Sequence, residues 1–202
     1  MSEILSKGAE AIIQLKGSKV LKKRISKGYR MPQLDEKLRK LRTRQEAKIL
    51  SKLRNIISVP KVIDINEKTF TLTLEYIKGK RLSQHLDNLS NRIAICKQIG
   101  TSLAKIHNIG IVHGDPTTSN MIYSKNKVYM IDFGLGFHSQ KIEDFAVDLH
   151  LVKEALEAKH PKVWQATWKS ILEAYKKHSK NAKETLKRLE KVESRGRYKE
   201  QY

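Results

Sequence analysis

Two carboxylates and an amide, at Asp115, Asn120 and Asp132, limit what this chain can fold into more than any other feature. Asn120 lies five residues after Asp115, and Asp132-Phe133-Gly134 begins seventeen residues after it. Between them, Met121-Ile122-Tyr123 and Val128-Tyr129-Met130-Ile131 have the composition of two short strands. Ser124-Lys125-Asn126-Lys127 has that of the turn joining them. Such a hairpin carries Asn120 at one end and Asp132 at the other, so both can face one metal. Oxygen donors in small number suit magnesium, which keeps several waters. Phosphoryl transfer needs little from a protein beyond positioning and neutralised charge. Asp115 is then placed to hold an acceptor hydroxyl or a water. Singly, an Asn and an Asp more often cap turns. His113 two residues before Asp115, together with the order and spacing of the rest, points to a nucleotide site.

The 202 residues allow one large domain or two small lobes sharing a cleft. No stretch approaches the ~20 apolar residues of a membrane span. Met1-Ser2-Glu3 leads to Lys7 and Glu10 without the apolar run of a leader. The single cysteine, Cys96, excludes an intrachain disulfide and sits in an apolar helical pattern, which predicts a core thiol and a reducing cytoplasm. Lys and Arg number 41 against 21 Asp and Glu, a net charge of +20. That balance predicts an acidic partner, most simply nucleic acid, against the alternative of a solvated basic surface. Clustering favours the first: residues 16–54 hold fifteen Lys or Arg and three acids, and the chain from Lys176 is basic again.

No internal repeat is visible. Residues 10–15 and 19–25 read as paired strands across Gly17-Ser18. Pro32 opens a helix with Leu34, Leu38, Leu41, Ile49, Leu50 and Leu53 largely on one face. Residues 62–65 and 69–76 read as two more strands. Ile93, Cys96, Ile99, Leu103 and Ile106 form a helical apolar stripe that Gly110 ends. Helices follow at about 143–158, 161–178 and 181–193. The expected architecture is α+β and two-lobed: a strand-rich lobe over 1–77 with one long helix, and a mainly helical lobe over 78–202, joined near 75–80 with the nucleotide between them.

This layout resembles the protein-kinase fold. It is most similar to one branch, the kinase/ATPase subunit family of the KEOPS complex, which takes part in making threonylcarbamoyladenosine in tRNA. The resemblance spans essentially the whole chain. It rests on Gly8-Ala9-Glu10-Ala11 in place of a longer Gly-rich loop, and on Lys22-Lys23-Arg24 followed by the run from Lys27 through Tyr29, Met31 and Leu34 to Asp35. Arg44-x-Glu46, His113-Gly114-Asp115-x-Thr117-Thr118-Ser119-Asn120 and the close on Ser194-Arg195-Gly196-Arg197 complete it. The resemblance implies ATP and magnesium as cofactors. It implies Asp115 as the catalytic aspartate, Lys22 as the phosphate lysine and Glu46 as its ion-pair partner. Asn120 and Asp132 are implied as magnesium ligands, Gly8 and Ala9 as the phosphate loop, and Glu75 to Ile77 as the adenine hinge. Lys23 competes with Lys22, since alternation sends the two to opposite faces. Glu46 competes with a plain surface charge near Arg42 or Lys48. His113 is implied to brace the loop, and Asp148 to anchor it from a helix. The resemblance also implies partners: the universal tRNA threonylcarbamoyltransferase subunit, other KEOPS subunits and tRNA, the last met by a mobile basic tail carrying Arg195 and Arg197.

Departures narrow the reading. Pro116 stands where the family usually has Leu. Thr117 stands where Ser/Thr kinases usually carry a lysine, and no Ala-Pro-Glu or long activation loop follows Gly134. These fit an ATPase or a narrow-substrate Ser/Thr kinase better than a broad protein kinase. Two rival readings are a small-molecule kinase of the aminoglycoside or choline type, for which the helical lobe is small, and an RNA-binding pseudokinase scaffold, against which stand Lys22, Asp115, Asn120 and Asp132.

Overall fold

A five-stranded antiparallel sheet, in the order Ser2–Lys7 (β1), Ala11–Lys16 (β2), Lys19–Arg24 (β3), Thr71–Glu75 (β5) and Val62–Asn66 (β4), forms one side of the molecule, and six α-helices are found among the described residues. The computed structural model describes residues 2–8 and 10–197. β2 (Ala11–Lys16) and β3 (Lys19–Arg24) are joined as expected at Gly17-Ser18, with Gly17 at φ +60°, the first-position requirement of a type II′ hairpin. β1 (Ser2–Lys7) was not expected. It is a polar edge strand that exists by pairing with β2, with a bulge between Ile4 and Ser6. β5 (Thr71–Glu75) pairs with β3, and β4 (Val62–Asn66) with β5.

Helix α1 (Pro32–Leu53) starts on the expected proline. Its apolar face is a correction. Leu34 and Leu41 are 51% and 54% exposed, and the buried stripe runs through Asp35, Thr43 and Glu46 before it becomes Leu50 and Leu53. The front of the helix is held by polar contacts instead. Asp35 accepts from Ser26 Oγ (3.0 Å), Arg39 Nε (2.7 Å) and the Lys27 amide (3.3 Å), which fastens the 26–31 loop to the helix. Burial alone would raise the Asp35 carboxyl, but the Ser26, Arg39 and Lys27 hydrogen bonds outweigh it and hold it below its ordinary range.

Beyond β5 come β6 (Lys80–Arg81), α2 (Leu82–His85), a 3₁₀ turn (Leu86–Asn88) and α3 (Arg92–Asn108). Cys96, Ile99, Leu103 and Ile106 are fully buried, but Ile93 at the solvent end of that stripe is not. β7 (Ile111–Val112) leads into the motif loop, whose 3₁₀ turn (Thr118–Asn120) opens onto β8 (Met121–Ser124) and β9 (Lys127–Met130). The expected hairpin is present, with Lys125 and Asn126 both at positive φ as a type I′ turn needs. β10 (Phe137–His138) pairs back onto β7. Then α4 (Ile142–Lys159), α5 (Trp164–His178) and α6 (Ala182–Arg197) close the fold, with α3 and α5 packed so tightly that a Cβ on Gly100 would lie 2.2 Å from the Ile171 carbonyl oxygen. The basic end is a second correction. The chain stays helical to Arg197, and Glu143 at the start of α4 holds Arg188 (2.9 Å) and Arg195 (2.7 Å). Through Arg197 the expected basic tail is therefore amphipathic helix, and its remaining residues Tyr198 and Lys199 lie outside the described residues.

Candidate active site

Lys22 faces inward and Lys23 outward. Lys22 Nζ donates to Glu46 Oε1 at 2.8 Å and to Asp132 Oδ1 at 2.5 Å. Glu46 is 1% exposed, so it is not a surface charge. Its second oxygen accepts from Arg24 at 2.7 Å. Arg24, 4% exposed, is the site residue that sequence reasoning missed, although the alternation of β3 that turns Lys22 inward also turns Arg24 inward. One buried carboxylate thus hydrogen-bonds two buried cations, and Asp132 supplies the second negative charge through Lys22, the condition under which burying such charges is tolerable.

Asp132 stands at φ +63°, a left-handed backbone uncommon for Asp, immediately after β9 and Ile131. Its side chain keeps 45% exposure, so it reaches into the cleft. Burial raises its pKa, but Lys22, the Gly134 amide at 3.1 Å and Arg24 together leave it below the ordinary carboxylate value. Asn120 Nδ2 donates to the Asp115 carbonyl (3.0 Å) and to Asp115 Oδ2 (2.8 Å), joining two of the expected residues directly. The loop that carries them is braced from behind. Asp148 on α4 accepts from the His113 amide (2.7 Å) and the Gly114 amide (2.9 Å), and also meets His107, itself bonded to Tyr175. Gly114 has φ +81°, and a Cβ there would sit 2.5 Å from the Leu135 oxygen. His113 is fully buried against the Phe133 ring at 4.3 Å, and burial lowers its pKa, so it is a neutral brace. Gln45, beside Glu46, donates to the Gly136 carbonyl at 2.6 Å and ties α1 to the segment after Asp132.

Lys22, Asp115, Asn120, Asp132, Glu75 and Ile77 all line one cavity of about 730 Å³ between the sheet and the β8–β9 side, a volume within the range of small-molecule sites. Gly8 lines its rim, and Ala9 lies outside the described residues. Glu10 beside them is held by Arg42 at 2.8 Å, and Arg42 adds a further cation to the cavity wall. At the expected hinge the Glu75 and Tyr76 amides donate to the Lys61 and Ser18 carbonyls. Arg195 and the backbone of Arg197 lie on α6, outside this cavity, and the Arg197 side chain is outside the described residues.

The donor set fits magnesium held together with phosphate. One carboxylate (Asp132) and one amide oxygen (Asn120) are hard oxygen donors. Among the described residues no group of three or more His, Cys, Asp or Glu side chains forms a metal cage. Magnesium is usually held this way, by one or two protein oxygens and substrate phosphates.

The RIO domain family model matches residues 13–166. The chain is 41% identical over 186 residues to the KEOPS complex subunit Bud32 of Pyrococcus abyssi, covering 90% of this chain and 84% of that protein. It is 37% identical over 201 residues to a probable bifunctional tRNA threonylcarbamoyladenosine biosynthesis protein of Methanobrevibacter smithii, covering 96% of this chain but only 36% of that longer protein. Among solved structures it resembles the Rio2 kinase from Chaetomium thermophilum in an ADP/Mg²⁺-phosphoaspartate complex, with TM-score 0.63, 16% identity, and 98% and 72% of the two chains covered. It also resembles the protein of the gentamicin-APH(2")-IIa complex, with TM-score 0.56, 15% identity, and 86% and 81% covered. These two show the kinase-like fold.

Proposed function

The chain belongs to the RIO domain family, in the branch of the KEOPS complex subunit Bud32, and we propose that it is an ATP- and magnesium-dependent Ser/Thr phosphotransferase and ATPase of such a complex, serving threonylcarbamoyladenosine modification of tRNA. The observation that carries the chemistry is Lys22, held at once by Glu46 and Asp132 over a cavity that Asp115 and Asn120 also line. With residues 1–77 and 78–202 as its two jaws, Ile77 takes the base and the rim at Gly8 covers the phosphates. Lys22 is a point charge for those phosphates, fixed in place by Glu46. Bound magnesium would neutralise phosphate charge beside Asp132 and Asn120. Asn120 holds one oxygen of Asp115, leaving the other to accept the proton of a water or a Ser/Thr hydroxyl.

The net charge of +20 supports tRNA as partner, and the 65% exposed Arg195 side chain offers a phosphate contact without sequence choice. Among the described residues no helix is long and apolar enough to cross a membrane. The proposed place of action is the cytoplasm, beside the universal threonylcarbamoyltransferase subunit. The test is release of labelled phosphate from Mg-ATP, with and without that subunit and tRNA, following the label into inorganic phosphate and into protein. Release stimulated by both and lost in Asp132→Ala supports the proposal. Undiminished turnover in that variant sinks it.

A further inference from the structure

α4 grips the loop 113–120 at two points, and the mechanism above uses only one of them. Asp148, in the middle of the helix, holds the amides of His113 and Gly114. The second point is His160, the residue that caps the helix, and it is 1% exposed. Its Nε2 lies 3.1 Å from Thr118 Oγ1, and its Nδ1 lies 2.6 Å from Asp87 Oδ1 in the turn after α2. Thr118 is also 1% exposed and opens the 3₁₀ turn that ends at Asn120. The backbone of His160 is fixed as well: its amide donates to the Leu156 carbonyl at 2.8 Å, and its carbonyl accepts from Val163 (3.0 Å) and Trp164 (2.9 Å).

We infer that His160, oriented by Asp87, is a positioning residue that fixes Thr118 and through it the turn joining Asp115 to Asn120. The inference rests on the phosphotransferase reading of that turn. The hydrogen-bond chemistry assigns a direction. A carboxylate only accepts, so Nδ1 carries a proton toward Asp87, and in the neutral imidazole that leaves Nε2 to accept from the Thr118 hydroxyl. This is the tautomer opposite to the one a free imidazole side chain favours. Burying His160 and Thr118 is tolerable because each finds a partner, with Asp87 reaching His160 from a position 38% exposed, and a satisfied network admits one arrangement where an apolar contact would admit several. Thr118 Oγ is too enclosed to attack anything, so its effect on the reaction passes through Asn120 and Asp115.

The experiment uses the full chain. Nitrogen-15 NMR should show His160 protonated at Nδ1 and bare at Nε2, and Asp87→Asn should disturb that pattern. Thr118→Val, which removes one hydroxyl and keeps the shape, should lower kcat for Mg-ATP turnover about tenfold with little change in KM for ATP, as expected of a misplaced catalytic group. It should also shift the Asn120 side-chain amide resonance. Thr118→Ser should restore both. His160→Gln should resemble Thr118→Val, and the double variant should be no slower than the slower single. A proton on Nε2, wild-type kcat with an unmoved Asn120 resonance in Thr118→Val, or losses that multiply in the double variant would each overturn the inference. If turnover survives Asp132→Ala unchanged, the phosphotransferase reading fails instead, while the tautomer and the Asn120 resonance still decide the role of His160.

Discussion

Removing both cations that flank Glu46 should cost more than the sum of removing each. Glu46 is 1% exposed and its two oxygens are taken separately, by Lys22 at 2.8 Å and Arg24 at 2.7 Å. Lys22→Met or Arg24→Met alone leaves the carboxylate one charged partner, so each costs Glu46 a single charge-assisted hydrogen bond, about 2 kcal/mol; the bond that Lys22 also makes to Asp132 is lost equally in the single and the double variant and drops out of their difference. The pair Lys22→Met/Arg24→Met strands a buried charge, a situation that costs about 3–5 kcal/mol by itself. The double variant should then lose about 6 kcal/mol against about 4 for the two singles added, a coupling of about 2 kcal/mol. Urea unfolding followed by tryptophan fluorescence measures it, since Trp164 and Trp168 both lie on α5, away from the substitutions. The same variants separate folding from chemistry: Lys22→Met should stay folded and lose turnover, because Arg24 still neutralises Glu46. Additive losses to within about 0.5 kcal/mol would refute the shared-partner argument.

Three further outcomes follow from other parts of the fold. Asp35→Asn should lower the urea midpoint at neutral pH. The native pKa of Asp35 lies below its ordinary 3.8, so its contribution is present above about that pH and fades as pH falls through the native value, and the gap between variant and wild type should narrow on acidification. Cys96 is fully buried, and burial pushes its thiol up to about 12, so a thiol reagent at neutral pH should label it only as fast as the protein opens; rapid labelling of the folded chain would contradict the packing. Gly100→Ala should destabilise by about 1–3 kcal/mol in urea unfolding because its methyl meets the Ile171 backbone, although in an open helix the same change would stabilise by about 1 kcal/mol.

Features of this molecule that depend on neighbouring residues alone were legible in the sequence. The hairpins at Gly17-Ser18 and at Lys125-Asn126 follow from turn chemistry, and the starts and ends of α4, α5 and α6 fall within a few residues of their patterns, save the extended end of α6. Contacts made across the fold were not. β1 carries Glu3, Ser6 and Lys7 and reads as a strand only once β2 is beside it. Leu34 and Leu41 satisfy a helical period, yet the buried side of α1 there is chosen by Asp35 and Glu46, whose partners come from elsewhere in the chain. Within the site, Lys22 could be chosen over Lys23 by pattern, but Arg24 was passed over because the motif assigns it no role, although its alternation was plain. Arg195 was read as the start of a free tail because nothing nearby in sequence announces Glu143, 52 residues before it.

The segment between Asp132 and α4 is sewn down at both margins: β10 is paired to β7, and Gly136 is held by Gln45 from α1. Enzymes that switch by reordering this stretch need slack there, and here it is taken up by strand pairing and by the same helix that presents Glu46. A phosphate added to this stretch would find little loop to reorganise, and the Lys22–Glu46 pair is already closed. These two ties set the helix that carries Glu46 against the segment that follows Asp132 before anything enters the cleft.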